Sequence, residues 1–126
     1  MEKILLIIEK SGNELFGRVN YEDNLLIDSA RTLSSLERKF KKLLHEFHDV
    51  ERKQISFEHS YDITALFDKF GYLNITSIAK KAEINPALLR QYASGVKHPS
   101  PKQAKKLEDT IHQIGKELSD VAVYSE

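Results

Sequence analysis

The stretch INPALLRQYASGVKHPS, residues 84–100, decides the fold of the second half of the chain. Asn85 is suited to precede a helix, because its side-chain oxygen can accept a hydrogen bond from a free amide of the first turn. Pro86 suits the first helical position, where its missing N–H leaves no bond unmade. Gly95 is a typical residue at which such a helix ends. The stretch therefore predicts a short helix that starts at Pro86 and closes before Gly95.

The residues before this helix complete a helix-turn-helix pattern. A preceding helix, capped by Asn74, carries the small residue Ala79; Ile84 follows the turn, and Leu89 lies five residues later. In a helix-turn-helix the small residue lets the two helices cross closely, and the two aliphatic residues hold the second helix at its angle. The second helix of such a motif lies in the major groove of DNA.

Seven residues of this region are candidate DNA contacts. Arg90 suits guanine and Gln91 suits adenine, each through two hydrogen bonds to the major-groove edge. The other five lie on the outward face, at helix ends or in the following loop, where bases or phosphates are within reach. The set is Asn74, Asn85, Ala87, Arg90, Gln91, Ser94 and Lys97.

The alternative interpretation of Arg90 and Gln91 is an ordinary solvated helix face. Local charge favours the DNA interpretation. Seven Lys and Arg residues lie between Lys80 and Lys106, against Glu83 as the one acid, in a chain whose formal net charge is zero. Such a concentration of positive charge is what attraction to phosphate requires. Tyr92 falls on the core side of the helix and is expected to pack rather than to stack on a base.

The remainder of the second half predicts further helices. Asp62 can cap a helix that Gly71 ends, and Ser100 with Pro101 begins a long final helix. Its apolar residues fall on one stripe: Ala104, Leu107, Ile111, Ile114 and Leu118. The segment VAVY, residues 121–124, predicts a short terminal strand, either within one subunit or at a dimer surface.

The first half predicts a small sheet with one helix. KILLIIEK (3–10) is apolar on both faces, as expected for a strand inside a sheet covered on both sides. ELFGRVNY and NLLIDSA predict two more strands, and QISFEHSY a fourth. Between them, Thr32 can cap a helix from Leu33 to His48 with an apolar stripe: Leu33, Leu36, Phe40, Leu43, Leu44 and Phe47.

This order predicts an α+β protein with two domains. Residues 1–61 form a β-β-β-α-β sheet domain, and residues 62–126 form an all-helical helix-turn-helix domain with a short C-terminal strand. One helix covers only one face of the sheet. We therefore expect the second half of the chain or a second subunit to cover the other face.

Composition narrows the classes of function. The chain has 126 residues and no cysteine, which excludes disulfides, thiolate metal sites and thiol nucleophiles. Zero net charge excludes a uniformly basic nucleic-acid binder but allows a local basic face. The longest apolar run, ILLII at residues 4–8, is too short to span a membrane, and a signal-peptide pattern is missing. We expect a cytoplasmic protein without membrane association.

Two side-chain groups contain the residue types of a metal or catalytic site. His45 and His48 can share one helix face, but they lack a visible third ligand, and a solvated helix end is the simpler interpretation. Glu9, Asp28 and Glu58 lie on different strands and could converge on magnesium, yet strand carboxylates usually mark a wet face. Metal-dependent RNA cleavage is the hypothesis they leave open. We expect no enzyme activity, no metal and no cofactor.

The sequence also resembles two known families. IAKKAEINPALLRQYASGVKHPS resembles the helix-turn-helix of Xre/Cro-type repressors. The segment from LLRQYASG to VAVY resembles the C-terminal part of HicB-like antitoxins of Bacteroides-type bacteria. The first half with ARTLSSLERKFKKLL is similar to the HicB antitoxin domain, a partial ribonuclease-H-like fold.

The resemblance implies an antitoxin that is also a repressor. Its first domain would neutralise a small RNA-cleaving HicA-type toxin, and its second would bind double-stranded operator DNA as a homodimer or higher homo-oligomer. Two positions depart from the families: Glu83 stands where the inter-helix glycine is usual, and NLLIDSA replaces a Pro-Gly-Cys-like segment. The second departure keeps open a stand-alone Xre-type regulator whose first domain dimerises or senses a ligand.

Overall fold

The computed structural model describes residues 2–125 and shows an α+β protein, with a four-stranded mixed sheet and five α-helices in that range. The strands are β1 (Glu2–Ser11), β2 (Glu14–Tyr21), β3 (Asn24–Ala30) and β4 (Ile55–Tyr61). The helices are α1 (Leu33–His48), α2 (Ile63–Lys69), α3 (Ile75–Ala82), α4 (Pro86–Ala93) and α5 (Pro101–Ser119), with a 3-10 turn at Arg52–Gln54 before β4.

The sheet has the strand order β3-β2-β1-β4. Two antiparallel hairpins join β1 to β2 and β2 to β3, and β4 returns parallel to β1 after the helix α1. The second hairpin turns through Glu22 and Asp23, both with positive φ (49° and 64°), as a two-residue turn that follows the strand twist requires. Because β1 lies inside the sheet, both of its edges are hydrogen-bonded.

Helix α1 covers one face of the sheet, called here the inner face. Thr32 caps α1 as expected, because its hydroxyl accepts a hydrogen bond from the Ser35 amide at 3.1 Å. Leu36, Phe40 and Leu44 are fully buried against Leu6, Ile8 and Val19 of the strands. This contact is close: Gly17 lies under the ring of Phe40, where a Cβ would meet Cε2 of that ring at 2.6 Å.

In the last turn of α1, the buried side chain is not the one that the sequence predicts. Phe47 continues the apolar stripe by its spacing but is 69% exposed. The chain reverses at Asp49, whose φ is 54°, and the Val50 amide donates to the Leu44 carbonyl. Val50, rather than Phe47, is therefore the side chain that joins the core beside Leu44.

The opposite face of the sheet, called here the outer face, stays open. β1 alternates, with Ile4, Leu6 and Ile8 buried on the inner face, whereas Leu5 is 49% exposed. The cross-strand register places a set of apolar side chains together on the outer face: Leu5, Ile7, Phe16, Leu25 and Ile27. Within the described chain one face of β1 is covered, and cover of the other face by a second subunit stays a prediction.

The chain divides into two compact units, of which the first ends at Lys69 and the second begins at Phe70. The division lies after α2, whereas the sequence placed it between residues 61 and 62. The contacts of α2 explain the difference, because Ala65 joins the core of the sheet unit. Asp62 also ties this helix to β1: its amide donates to the Ile8 carbonyl at 2.9 Å, and its carboxylate accepts from the Ala65 amide at 2.8 Å.

The second unit consists of α3, α4 and α5, with α3 packed against both of the others. Its core contains Ile78, Leu89, Tyr92 and Leu107. The terminal strand expected at residues 121–124 is wrong: residues 121–125 form no regular element. Val123 and Tyr124 are 93% and 87% exposed, so the segment has neither the ladder nor the buried face that a strand needs.

Candidate nucleic-acid interface

The helices α3 and α4 are joined by a tight connection, residues 83–85. Asn74 caps α3, and the Ile84 amide donates to the Ala79 carbonyl at 2.9 Å, which closes the end of that helix. Ala79, Ile84 and Leu89 are 0%, 4% and 0% exposed. The burial expected for the small residue and the two aliphatic residues of the pattern is confirmed.

Glu83 takes the left-handed conformation that ends α3. Its φ and ψ are 58° and 41°, a region where a Cβ is normally unfavourable and where glycine is common. The Glu83 carbonyl accepts a hydrogen bond from the Lys106 amine at 3.1 Å, which ties the connection to α5. The connection therefore has the backbone geometry of a glycine turn without the glycine.

The outward row of α4 is accessible over its length. Ala87, Arg90 and Ser94 are exposed, whereas the side chain of Gln91 is half-buried. Tyr92 is 7% exposed, which confirms that it faces the core. These exposed residues are three or four positions apart, so they form one continuous face of α4 on the side opposite the buried Leu89.

Arg90 is held by a partner that the sequence did not suggest. Its Nη2 donates to the Thr76 hydroxyl of α3 at 3.2 Å. A guanidinium has five N–H donors, so one bond to Thr76 orients the group and leaves the rest for another acceptor. Thr76 is the second residue of α3 and lacks any sequence feature that would have marked it.

The two candidate asparagines serve first as helix caps. The Asn74 side-chain oxygen accepts from the Ser77 amide at 2.9 Å. The Asn85 side-chain oxygen accepts from the amides of Ala87 at 2.8 Å and Leu88 at 3.3 Å. Each residue is exposed and keeps an NH₂ group with two donors beyond its cap. Both are therefore placed at helix starts, as expected.

Lys97 lies in the loop after α4 and is exposed. Its backbone amide donates to the Gln91 carbonyl at 3.2 Å, a bond shared with the Val96 amide at 3.0 Å. These two bonds fix the loop against the end of α4 and leave the Lys97 side chain exposed. Two further exposed lysines, Lys80 and Lys102, were not among the candidate contacts.

The segment from Lys80 to Lys106, called here the basic window, has part of its positive charge offset by acidic residues that follow it along the chain. Lys81 pairs with Glu117 at 3.6 Å, and Lys105 pairs with Glu108 at 3.4 Å and Asp109 at 3.1 Å. The hydrogen bond to Asp109 is the largest reason why the pKa of Lys105 is raised. Among the described residues, the cations of the window without an ion pair or a hydrogen bond to a backbone carbonyl are Lys80, Arg90, Lys97 and Lys102.

The two candidate histidines, and Glu9 among the strand carboxylates, each contact a different group. His45 Nδ1 contacts the Val50 carbonyl at 3.2 Å, and His48 faces Glu22 at 3.6 Å. Glu9 pairs with Arg18 at 2.9 Å. Over residues 2–125, we find no group of three or more His, Asp or Glu side chains arranged to hold a metal ion.

The outer face of the sheet is a second accessible surface. Phe16, Leu5, Leu25 and Ile27 are 43%, 49%, 55% and 61% exposed. The ion pair of Arg18 with Glu9 crosses the same face. In the register Arg18 stands between Ile7 and Ile27, and Asn20 stands opposite Leu25, so these exposed apolar side chains, called here the apolar patch, surround polar residues. A mixed surface of this kind is suited to bind another protein.

Comparison with known proteins adds no relative: no family model, curated protein or solved structure matches the chain. In the part of the chain that the structure describes, none of the helices combines the length and the apolar character needed to cross a bilayer.

Proposed function

We propose that the protein is a HicB-like antitoxin and transcriptional autorepressor that binds its operator through α3 and α4. The observation that carries the proposal is the exposed row of Ala87, Arg90 and Ser94 on a helix whose other side is anchored by Leu89. A short helix held by its buried face and open on the other is the arrangement that enters a major groove. The protein acts by binding in the cytoplasm, without catalysis, metal or cofactor.

Base recognition is assigned to α4. Arg90 reads guanine through two hydrogen bonds, and Thr76 acts as a positioning residue that limits the guanidinium to one orientation. Gln91, which is half-buried, reads adenine at the edge of the same contact, while the small side chains of Ala87 and Ser94 allow the helix to approach the bases. Each two-bond contact discriminates against a wrong base by about 1–3 kcal/mol.

Phosphate contacts are assigned to residues around this helix. Lys97 and the additional Lys80 and Lys102 supply positive charge without an ion pair in the described chain. Asn74 and Asn85 supply NH₂ donors at the starts of α3 and α4, where backbone amides also favour an anion. Contacts of this kind fix the register of the protein on DNA and make its affinity depend on salt.

The antitoxin activity is assigned to the outer face of the sheet. The resemblance of the first half to HicB antitoxins supplies the expectation of a HicA-type toxin as partner. The exposed apolar side chains Phe16, Leu25 and Ile27 support a protein partner on that face, because their contact with water is unfavourable. A toxin that covers this patch would be held away from its RNA substrate.

Co-expression with the protein encoded by the neighbouring gene tests the antitoxin activity, if that protein arrests growth when it is expressed alone. The wild-type chain should restore growth, and Ile27→Lys should abolish the rescue because it places a charge in the apolar patch. Phe47→Lys is the matched control, since Phe47 is 69% exposed on α1 and lies outside the patch. It should rescue like the wild type.

The same assay separates the proposal from the alternative of a stand-alone regulator. If the wild-type chain fails to neutralise any neighbouring toxin while operator binding persists, the antitoxin activity is refuted and the regulator remains. If both Ile27→Lys and Phe47→Lys rescue fully, the outer face is not the toxin surface.

The positioning of Arg90 by Thr76 has its own test in DNA binding. Thr76→Val should lose the preference for guanine while the salt dependence of binding stays unchanged.

A further inference from the structure

The side of β4 that faces away from β1, called here the open edge, has no strand beside it in the described chain. In the sheet order β3-β2-β1-β4, this strand is hydrogen-bonded to β1 alone. The register with β1 runs unbroken over seven residue pairs, from Ile55 to Tyr61, so the strand is not interrupted by a bulge. Its sequence, ISFEHSY, contains neither proline nor lysine, which commonly prevent a further strand from pairing with an edge.

The hydrogen-bond pattern indicates which backbone groups point to the open edge. The Asp62 amide continues the ladder of β4 and donates to the Ile8 carbonyl at 2.9 Å. Alternate residues of a strand bond to the same neighbour, so every second residue before Asp62 also faces β1. Phe57 and His59 face the other way, and among the described residues no hydrogen bond to the backbone of either is found. The residues that face β1 are Ser56, Glu58 and Ser60.

The opposite edge of the sheet differs, because side chains close part of it. In β3, the Ser29 amide donates to the Asp28 carboxylate at 2.8 Å, and the Ser29 carbonyl accepts from the Lys39 amine at 2.6 Å. A strand that pairs along the whole of β3 would have to displace both bonds. A charged side chain on an edge is one of the ways in which proteins prevent such pairing. The sheet is therefore protected at β3 and open at β4.

The side chains beside the open edge define what an added strand must carry. On the inner face, Phe57 is partly buried and packs against the core of the sheet unit. On the outer face, Glu58 is exposed and has no ion pair among the described residues. Side chains of a strand alternate between the two faces of a sheet. A strand that fits this edge therefore carries apolar residues on its inner side and basic residues on its outer side.

We propose that the open edge binds an extended strand of the toxin, which adds to the sheet beside β4. The identity of the partner rests on the proposed function. An enzyme that cleaves RNA carries basic side chains to attract phosphate, and basic side chains suit the exposed Glu58. The added strand extends the outer face, on which Leu5 of β1 lies opposite Glu58 in the register. Backbone hydrogen bonds supply affinity, and the alternate side chains supply specificity.

A second copy of β4 suits the same edge less well. Glu58 is the central residue of β4, so two antiparallel copies that pair over their whole length place Glu58 opposite its own counterpart. Like charges directly opposite each other on paired strands are destabilising. The charge of the strand therefore favours a different partner, and a basic one.

Amide hydrogen exchange of the full chain, followed by NMR, tests the open edge with a soluble peptide of alternating lysine and valine as the probe. Without peptide, the amides of Phe57 and His59 should exchange faster than those of Glu58 and Ser60, which bond to β1. Millimolar peptide should slow exchange at Phe57 and His59 by about tenfold or more and leave Glu58 and Ser60 nearly unchanged. Unchanged exchange at Phe57 and His59 overturns the inference.

Two controls accompany this measurement. A peptide with glutamate in place of lysine should protect Phe57 and His59 less, and Glu58→Lys should reverse the preference between the two peptides. Equal protection by both peptides would refute a basic partner. Protection that rises with the concentration of the chain alone, without peptide, would place a second copy on the open edge and overturn the proposal.

The pair His59→Pro and His59→Ala isolates the backbone group. Both variants lose the bond of the ring to Glu37, but only proline also removes the N–H that faces the open edge. Proline is tolerated in an edge strand where its missing N–H faces solvent. Peptide affinity should fall by about tenfold or more in His59→Pro relative to His59→Ala, because a ladder bond is lost. Equal affinity would overturn the inference. Exchange at the Ser60 amide checks that β4 still pairs with β1; if His59→Pro loses that pairing, the wild-type exchange data decide alone.

The same reagents distinguish this inference from the proposed function. If the lysine peptide protects Phe57 and His59 but the chain neutralises no toxin, the open edge stands as a strand-binding surface, and the antitoxin activity is refuted together with the identity of the partner. If His59→Pro neutralises the toxin as well as His59→Ala does, the antitoxin activity stands and the assignment of a toxin strand to the open edge is overturned.

Discussion

The connection between α3 and α4 allows a sharp test by Glu83→Gly. Glu83 has a φ of 58°, and the left-handed region costs a residue with a Cβ about 1–2 kcal/mol. Glycine removes that cost but loses about 0.5–1 kcal/mol through its greater freedom in the unfolded chain. The substitution also removes a carboxylate from the negative end of the α3 dipole, worth about 0.3 kcal/mol at an exposed site. The sum predicts a gain of about 1 kcal/mol.

Native-state hydrogen exchange at the Leu89 amide measures this gain in the helical unit alone. Leu89 is fully buried, and its amide donates to the Asn85 carbonyl at 3.0 Å, so its exchange requires opening of α4. Glu83→Ala should gain only the dipole part, because it keeps the Cβ. Lys80→Gly, three residues earlier and inside α3, should lose about 1 kcal/mol.

The signs of the stability changes in these three variants test the left-handed geometry of the connection. Glycine is predicted to stabilise at position 83 and to destabilise at position 80. If Glu83→Gly lowers the protection of Leu89 as much as Lys80→Gly does, the connection does not have the left-handed geometry, and the helix-turn-helix arrangement that depends on it is refuted.

Three further predictions address the core, a helix cap and a titration. Gly17→Ala should destabilise the sheet unit by about 1–3 kcal/mol in urea unfolding, because its Cβ would lie 2.6 Å from the Phe40 ring; an unchanged midpoint would contradict the packing. Asn85→Ala should lower the protection of α4 amides by about 1 kcal/mol through the lost cap, whereas equal protection would show that the cap is dispensable. The hydrogen bond from the Tyr21 hydroxyl to Glu2 is the largest reason why the pKa of Tyr21 is raised, so Glu2→Gln should lower that pKa in an ultraviolet titration, and no change would rule the bond out. Because the folded state favours the neutral phenol, this contribution to stability is present below the ordinary tyrosine pKa and is lost as pH rises above it.

Helix boundaries were the most predictable part of the fold, since caps depend on neighbouring residues only. Thr32, Asn74, Asn85 and Ser100 all cap the helices that the sequence assigned to them. The hairpin at residues 22–23 was not predictable in the same way. Glu22 and Asp23 adopt positive φ without glycine or asparagine, because pairing of β2 with β3 determines the turn.

Burial at the ends of elements was less predictable, because it depends on where a neighbouring element stops. Periodicity places Phe47 on the α1 stripe, but the reversal at Asp49 brings Val50 to that position instead. The apolar segment at residues 121–124 has strand-forming residues but no strand beside it. A sequence pattern shows which side chains favour burial, whereas the fold decides which of them are covered.

The positions of the helices in the candidate interface were predictable from the sequence, whereas its net positive charge was less so. A window that ends at Lys106 omits Glu108, Asp109 and Glu117, which the α5 helix brings to Lys105 and Lys81. Thr76 was missed because its contact with Arg90 joins two helices. Charge counted along the chain therefore overestimates the positive field near α4.

Salt dependence of binding to the promoter DNA of its own gene tests the central claim most directly. The logarithm of the association constant should fall linearly with the logarithm of salt concentration, and Lys97→Ala should reduce the slope by about 1 without changing sequence preference. Arg90→Ala should instead relax discrimination at one guanine position by about 1–3 kcal/mol. Affinity that does not depend on salt, or that is equal in the wild type and both variants, would contradict the assignment of α3 and α4 to DNA.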